Sequence, residues 1–251
     1  MSQTRFIHGF HSVIAKLRHQ PEAISEIFID EGRHDARVRD LLRHAELHDV
    51  RVCPVDSKRL EGMAGGMRHQ GVVARVSANV RHITLDDVLD TLDEPPFLLV
   101  LDGIQDPHNL GACLRVADAA GVHAVIAPKD RAVGLTQTAI KVASGAAESV
   151  PYITVTNLAR TLREIKERGV WIVGTDAEAK EDIYTAQWPG NATAWVLGAE
   201  GDGMRRLTRE NCDQLVTIPM FGSVQSLNVS VATGICLYEA RRRQIKYESR
   251  E

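Results

Sequence analysis

The apolar positions of this chain change rhythm near residue 97. From there they fall in continuous runs: FLLVLDGI from Phe97, AVIAP from Ala124, VWIVGTDA from Val170, AWVLGAEG from Ala194 and QLVTIPM from Gln214. Runs without polar alternation predict strands buried on both faces, as in a parallel sheet between two layers of helices. A helix follows the first run, another separates AVIAP from VWIVGTDA, and a long final helix starts near Asn228. Strand alternating with helix predicts an α/β domain with a mostly parallel sheet.

The first part of the chain reads as a smaller α/β unit. HGFHSVIAKL suggests a loop feeding a helix, and SEIFID, VRVCPVD and QGVVARV are strand candidates. ARVRDLLRHAELHD has helical periodicity, with Val38, Leu41, Leu42 and Ala45 on one side. RLEGMAGGMRHQ reads as a Gly-rich loop carrying Arg59, Arg68 and His69. The segment SANVRHITLDDVLDTLDEPP reads mainly as a connection, with a short helix at LDDVL and a stop at Pro95-Pro96. The expected division is therefore 1–77, a linker at 78–96, and 97–251.

Composition narrows the function classes. No apolar run approaches the roughly 20 residues of a membrane span, and MSQTRFIHGF lacks the pattern of a signal peptide. The cysteines at 53, 113, 212 and 236 form no CxxC pair. That spacing predicts no metal site and no disulfide framework, which fits a reducing cytoplasm. Formal net charge is −3. Residues 1–77 carry 12 Lys+Arg against 10 Asp+Glu, a net of +2, and 7 of the 10 histidines. So small an excess gives weak non-specific attraction for nucleic acid, and recognition of RNA would rest on a local arrangement of Arg and His.

Three stretches of the second domain carry candidate chemistry. In LDGIQDPHNLGACLRVADAAGV, the loop after the first strand leads into a helix with Asn109 as a plausible N-cap. Leu110, Cys113, Leu114 and Ala117 share one face of that helix, and Arg115 falls roughly opposite. A lone arginine there is usually a solvated one. This one follows a polar loop at the C-terminal end of a parallel strand, where open α/β sheets bind ligands. In VLGAEGDGMRR, Gly198, Gly201 and Gly203 follow an apolar strand and surround Glu200. The GxGxxG spacing of a dinucleotide site is absent, and a plain strand-to-helix turn would also use such glycines. In IPMFGSVQSLNVSVATGICLYEA, a polar loop precedes the last helix, with Ser226 or Asn228 as cap. Small residues from Ser230 to Gly234 open that helix and allow another backbone to pack close.

N-L-G-x-x-x-R, L-G-x-E-x-x-G and I-P-M-x-G-x-x-x-S-L-N-V-S-x-A, in this order, resemble the three signature motifs of the SpoU branch of the SPOUT RNA methyltransferases. The similarity runs almost continuously over 97–243. Residues 1–77 are similar to the L30e-like substrate-binding domain that precedes the catalytic domain in many members. HGFHSV and HQGVVA look like the form found in members that methylate a guanosine ribose in 23S ribosomal RNA.

The resemblance implies a deep trefoil knot in the C-terminal domain, an exception to the usual absence of knots. It implies S-adenosylmethionine as cofactor, a homodimer joined through the knot region, and no metal. Residue by residue it assigns Gly198, Ile218, Leu227, Leu197, Met220 and Ser226 to cofactor binding, and Asn109, Arg115, Glu200 and Asn228 to catalysis. Arg59, Arg68 and His69 are the candidate RNA contacts. A guanidinium pKa above about 12 makes Arg115 a poor base. A milder role is expected, on a phosphate or the developing alkoxide, with Glu200 orienting it as a bidentate pair. A transfer-RNA methyltransferase of the same branch and a non-catalytic RNA-binding assembly protein stay open as alternatives.

Overall fold

The computed structural model describes residues 4–77, 83–189 and 191–248. Residues 78–82, the start of the expected linker, lie outside the described residues. The chain divides into two compact units, Met1–His82 with Ser144–Ser149, and Ile83–Ala143 with Val150–Glu251.

The first unit runs β1 (Thr4–His8), α1 (Phe10–His19), β2 (Ile24–Asp30), α2 (Ala36–Leu47), β3 (Val52–Val55), α3 (Ser57–Ala64) and β4 (Val72–Ser77). Its sheet has the order β1-β4-β2-β3, with β2 and β3 parallel and the other pairs antiparallel. Asp35 caps α2 by accepting from the Arg37 and Val38 N–H groups. Val38, Leu41 and Ala45 of that helix are buried as its periodicity predicts, whereas Leu42 is left partly exposed. The expected Gly-rich loop at 59–70 is half helix. Asp56 accepts from Arg59 N at 2.9 Å and starts α3, which ends at Gly65 in the left-handed region.

The second unit opens with α4 (Leu85–Asp90), the helix expected at LDDVL, started by a capping box between Thr84 and Asp87. Then come β5 (Phe97–Asp102), α5 (Pro107–Ala119), β6 (Ala124–Pro128) and α6 (Gln137–Ala143). The short α7 (Ala146–Ser149) is counted with the first unit. The chain continues through β7 (Tyr152–Val155), α8 (Leu158–Glu167), β8 (Trp171–Thr175), β9 (Glu181–Asp182), β10 (Thr193–Gly198), α9 (Arg206–Glu210), β11 (Gln214–Thr217) and α10 (Val229–Glu248). The seven strands are ordered β7-β6-β5-β10-β8-β11-β9, and every pairing is parallel. Every residue of β5 and β6 is buried, which accounts for their uninterrupted apolar runs. The order also departs from the chain: β10 inserts between β5 and β8, so Leu197 and Gly198 stand beside Leu101 and Asp102.

Two helix contacts set the position of α5. On one side Gly111 lets it touch α6, since a Cβ there would lie 2.5 Å from the Ala139 carbonyl oxygen. On the other side α10 packs against it, with Thr233 Oγ1 3.5 Å from Cys113 Sγ and Gly234 facing Val116. The small residues that open the last helix are thus used inside the chain. Further along α10, Arg241 donates to the carbonyls of Ala120 and Gly121 at 2.7 Å each, satisfying groups at the C-terminus of α5. No described helix is long and apolar enough to cross a membrane. Among the described residues no group of three or more His, Cys, Asp or Glu is placed to hold a metal ion.

Candidate active site

The C-terminal ends of β5, β10 and β11 bring the three motif loops together. The loop after β5 turns at Gly103 and enters α5, whose cap is Asp106 and not the expected Asn109. Asp106 accepts from His108 N at 3.0 Å, and Pro107 takes the first helical position, where its missing N–H costs nothing. Asn109 lies in the first turn, so its side chain is free to reach outward. Leu110, Cys113, Leu114 and Ala117 are buried and Arg115 is exposed, the arrangement that the helical period predicts.

The loop after β10 folds straight back on its own strand. Ala199 and Gly203 exchange two backbone hydrogen bonds, at 3.1 and 3.0 Å. Gly198 is a glycine for this reason: a Cβ would lie 2.1 Å from the Gly203 carbonyl carbon and 2.2 Å from Met204 N. Closeness to its own loop, more than to a ligand, imposes the residue. Gly201 and Gly203 turn the chain at φ +85° and +66° with open space around them. The turn delivers Glu200 to the start of α10.

Glu200 Oε1 accepts three hydrogen bonds: from Asn228 Nδ2 at 2.9 Å, Asn109 Nδ2 at 3.1 Å and Val229 N at 3.2 Å. A carboxylate at a helix N-terminus meets both the free N–H groups and the positive end of the helix dipole. Asn228 Nδ2 also donates to Asn109 Oδ1 at 2.8 Å, and Asn228 Oδ1 accepts from Ser230 N and Oγ. Because Ser230 N can only donate, the Asn228 amide has one orientation, with its nitrogen toward Glu200 and Asn109. Asn228 is thereby fully occupied. The groups left for a ligand are the second N–H of Asn109 and Glu200 Oε2.

The expected pairing of Glu200 with Arg115 is not formed: Glu200 is held by the two asparagines and α10, and Arg115 has no partner among the described residues. An oriented arginine does exist at this end of the sheet, and the motif reading missed it. Asp102, at the end of β5, is fully buried and accepts from Arg205 N at 2.8 Å and Arg205 Nε at 2.6 Å. Arg205 Nη2 also contacts it. The available signal was an acid closing an otherwise apolar strand, since a buried carboxylate requires a partner.

Leu197 is buried at the end of β10, whereas Ile218, Met220 and Leu227 are half-buried and Ser226 exposed in the loop before α10. Among the described residues, the backbone N–H and C=O groups of 218–227 make no hydrogen bond. Residues 221–226 are exposed, so these main-chain groups face water or a ligand. Such a strip can hold the edge of a heterocycle through N–H and C=O groups, and in this respect the loop fits an adenosine-bearing cofactor. On α5, burial pushes the Cys113 thiol up to about 11, so the thiol is not a nucleophile.

In the first unit, β1 and β4 bring HGFH beside HQG: His8 stands opposite Val73, and Gly9 N donates to Val72 O at 3.2 Å. Burial, then the neighbouring His69 and Arg5, holds the His8 pKa below its usual value. His69 Nδ1 accepts from Gly71 N at 3.1 Å, while Arg59 and Arg68 are exposed.

Comparison with known proteins agrees with this arrangement. The SpoU rRNA Methylase family matches residues 96–238, and a family described as RNA 2'-O ribose methyltransferase substrate binding matches residues 6–80. The 23S rRNA (guanosine-2'-O-)-methyltransferase RlmB of Ralstonia nicotianae is 61% identical over 244 residues, 97% of this chain and 98% of that protein. The Escherichia coli protein of the same description is 54% identical over 96% of this chain and 99% of its own length. Among solved structures, the SpoU methyltransferase AviRb from Streptomyces viridochromogenes, in complex with AdoMet, is similar in fold. Its TM-score is 0.76 at 24% identity, covering 97% of this chain and 91% of that one. A structure described as an RNA 2'-O ribose methyltransferase has a TM-score of 0.71 at 26% identity, covering 96% and 89%.

Proposed function

This chain belongs to the SpoU rRNA methylase family, and on that premise we propose that it transfers a methyl group from S-adenosylmethionine to the 2′-hydroxyl of a guanosine ribose in 23S ribosomal RNA. The observation that carries the reading is the convergence on Glu200 Oε1. Asn109, Glu200 and Asn228 come from three motifs up to 119 positions apart, and they meet through direct hydrogen bonds.

S-adenosylmethionine, when bound, would supply a methyl group whose carbon an oxygen nucleophile attacks in line, the sulfonium sulfur leaving as a neutral thioether. The chain supplies position and charge. Leu197, Gly198 and the main chain at Ile218, Met220, Ser226 and Leu227 hold the adenosine. Asn228 acts as a positioning residue, fixing Asn109 and Glu200 against each other. Asn109, through its free N–H, and Glu200, through Oε2, take the ribose hydroxyl from two sides. Arg115 stays charged and stabilises the oxygen as its proton passes to Glu200 Oε2 or to water, or it holds the adjoining phosphate. Positioning of this kind supplies much of the rate in a bimolecular transfer. Arg59, Arg68 and His69 of the first unit contact the RNA, and residues 1–77 form the substrate-binding domain. In the second, the route of the chain from β10 to α10 makes the trefoil knot of the family.

The reaction places the protein in the cytoplasm, where ribosomal RNA is assembled. Its test is methyl transfer from labelled S-adenosylmethionine to unmethylated ribosomal and transfer RNA, followed by mapping of the ribose. Label on a 23S guanosine is expected. Label on transfer RNA alone, or cofactor binding without transfer, would refute the reading.

The working unit is a homodimer joined along α10. Val231, Tyr238 and Ile245 recur every seven residues and are each about half exposed, and Phe221 in the preceding loop is 96% exposed. A heptad stripe of this kind lies on one face of a helix and suits a second helix. Tyr238→Glu is expected to shift sedimentation from dimer to monomer at micromolar concentration and to leave the monomer folded. A wild-type chain that sediments as an active monomer would end the argument.

A further inference from the structure

Asp102 and Arg205 have the geometry of an arginine held ready for an anion. The carboxylate is fully buried, and both oxygens are engaged by Arg205: Oδ2 by its main-chain N–H, Oδ1 by Nε and Nη2. A buried carboxylate so paired does not let go of its partner, because the unpaired charge would then remain in an apolar interior. The Arg205 side chain is nonetheless 43% exposed, and Nη1 has no partner among the described residues. One edge of a rigid, planar donor is therefore anchored and the other offered outward, at the C-terminal end of β5.

A second cation stands beside the same turn. A Cβ on Gly103 would lie 3.7 Å from the Arg131 carbonyl oxygen and 3.9 Å from the Ala199 methyl group, so the main chain of Arg131 flanks the residue that follows Asp102. Arg131 has φ +58°, a left-handed conformation uncommon outside glycine. Its loop is fixed: Val133 N donates to Ile104 O at 2.8 Å, and the Tyr152 hydroxyl donates to Val133 O at 2.9 Å. The Arg131 side chain is exposed and has no partner among the described residues. Backbone strain held in place by its surroundings, at an unpaired cation beside a candidate site, points to a ligand.

We infer that Arg205 and Arg131 form a phosphate site that holds the RNA backbone next to the methylated ribose. The inference rests on the proposed RNA methylation and deepens it, by naming the groups of the second unit that grip the substrate. Arginine suits the task because its planar fork matches phosphate oxygens and Asp102 has already fixed its plane. Asp102 is a positioning residue that acts through Arg205.

The test measures binding of transcribed 23S ribosomal RNA across a salt series, with cofactor binding and melting followed in parallel. Arg205→Lys retains a charge for Asp102 but loses the outward fork, and Arg131→Gly removes the cation while relaxing the backbone. Each is expected to bind RNA about tenfold more weakly, as loss of one charge-assisted hydrogen bond gives. Each should also flatten the log K against log salt slope by about one. KM for RNA rises and kcat changes less. Arg131→Gly should keep or raise the melting temperature while it weakens binding, which a purely structural role would not do. Arg163→Gln, at an exposed arginine on α8, should leave the slope unchanged. RNA affinity and slope equal to wild type in both variants would overturn the site, as would weaker cofactor binding with RNA affinity intact. If Arg205→Lys fails to fold, Arg131→Gly decides alone. A wild-type protein that methylates no RNA would instead remove the proposed function.

Discussion

Arg115→Ala is expected to lower methyl transfer by about 10²-fold or more, the cost of deleting a fixed donor at a developing oxyanion, with no loss of stability. The two halves of that expectation come from different observations. The side chain has no partner among the described residues and stands opposite the buried face of α5. Removing it breaks no contact, and an exposed helix position prefers alanine slightly; such changes stay within about 0.5 kcal/mol. The activity loss follows because the other polar groups are committed. The Asn228 side chain has no free hydrogen-bonding group, and Glu200 Oε1 is filled. Arg205, the other arginine placed at this end of the sheet, is anchored to Asp102 and does not move to take over the charge. Arg115→Lys should recover little, since an ammonium is a point donor without the fork. The check is single-turnover transfer at saturating RNA, beside melting curves and cofactor titration. A rate within a few-fold of wild type would remove Arg115 from the mechanism, and a large fall in melting temperature would assign it a structural part.

What the sequence revealed of this fold follows burial. β5, β6 and β10 were legible because both of their faces are covered, so nearly every residue is apolar. β1 and β7 were not, being short and only partly buried, and TRFIH and YITV carry no distinctive pattern. The helix α3 was hidden by its glycines, although Asp56 followed by Ser-Lys-Arg-Leu is a legible start signal. The same kind of signal was misread at Asn109. Asp106-Pro107 is the stronger start, because proline suits the first helical position and aspartate caps it.

The candidate site was legible as residue types and not as partners. The motifs named Asn109, Glu200 and Asn228, and the structure joins them. Charge alone pairs Glu200 with Arg115, yet α10 arrives first, and Val229 N and Asn228 occupy Oε1 of the carboxylate. Which strand neighbours which decides such matters, and β10 reaches β5 only by leaving chain order. Asp102 and Arg205 are 103 residues apart and meet for that reason alone. Likewise the small residues after Ser230 suggested a close approach without saying to what; they meet α5 of their own chain.

Gly198→Ala is expected to abolish cofactor binding and to destabilise the second unit. The added methyl group has no room: Gly203 C, Met204 N and Gly203 O all lie within 2.4 Å of its position. These are backbone atoms, tied to β10 by the Ala199–Gly203 hydrogen bonds, so no side-chain rotation relieves the clash. Overpacking of this kind costs about 1–3 kcal/mol. Here the relief must come from opening the 199–203 turn, which carries Glu200 away from Asn109, Asn228 and α10 and breaks the three contacts at once. Cofactor titration by calorimetry and a melting curve check both effects. Near-normal cofactor affinity would mean that the turn and the pocket are independent. The inactive variant then serves a second purpose. Arg115 does not meet Glu200 within the chain, and in a homodimer it can act in the partner's site. Mixing Gly198→Ala chains with Arg115→Ala chains should then restore about a quarter of the wild-type rate, since half of randomly formed dimers are mixed and each has one intact site. No recovery in dimers shown by sedimentation to be mixed would assign Arg115 to the site of its own chain.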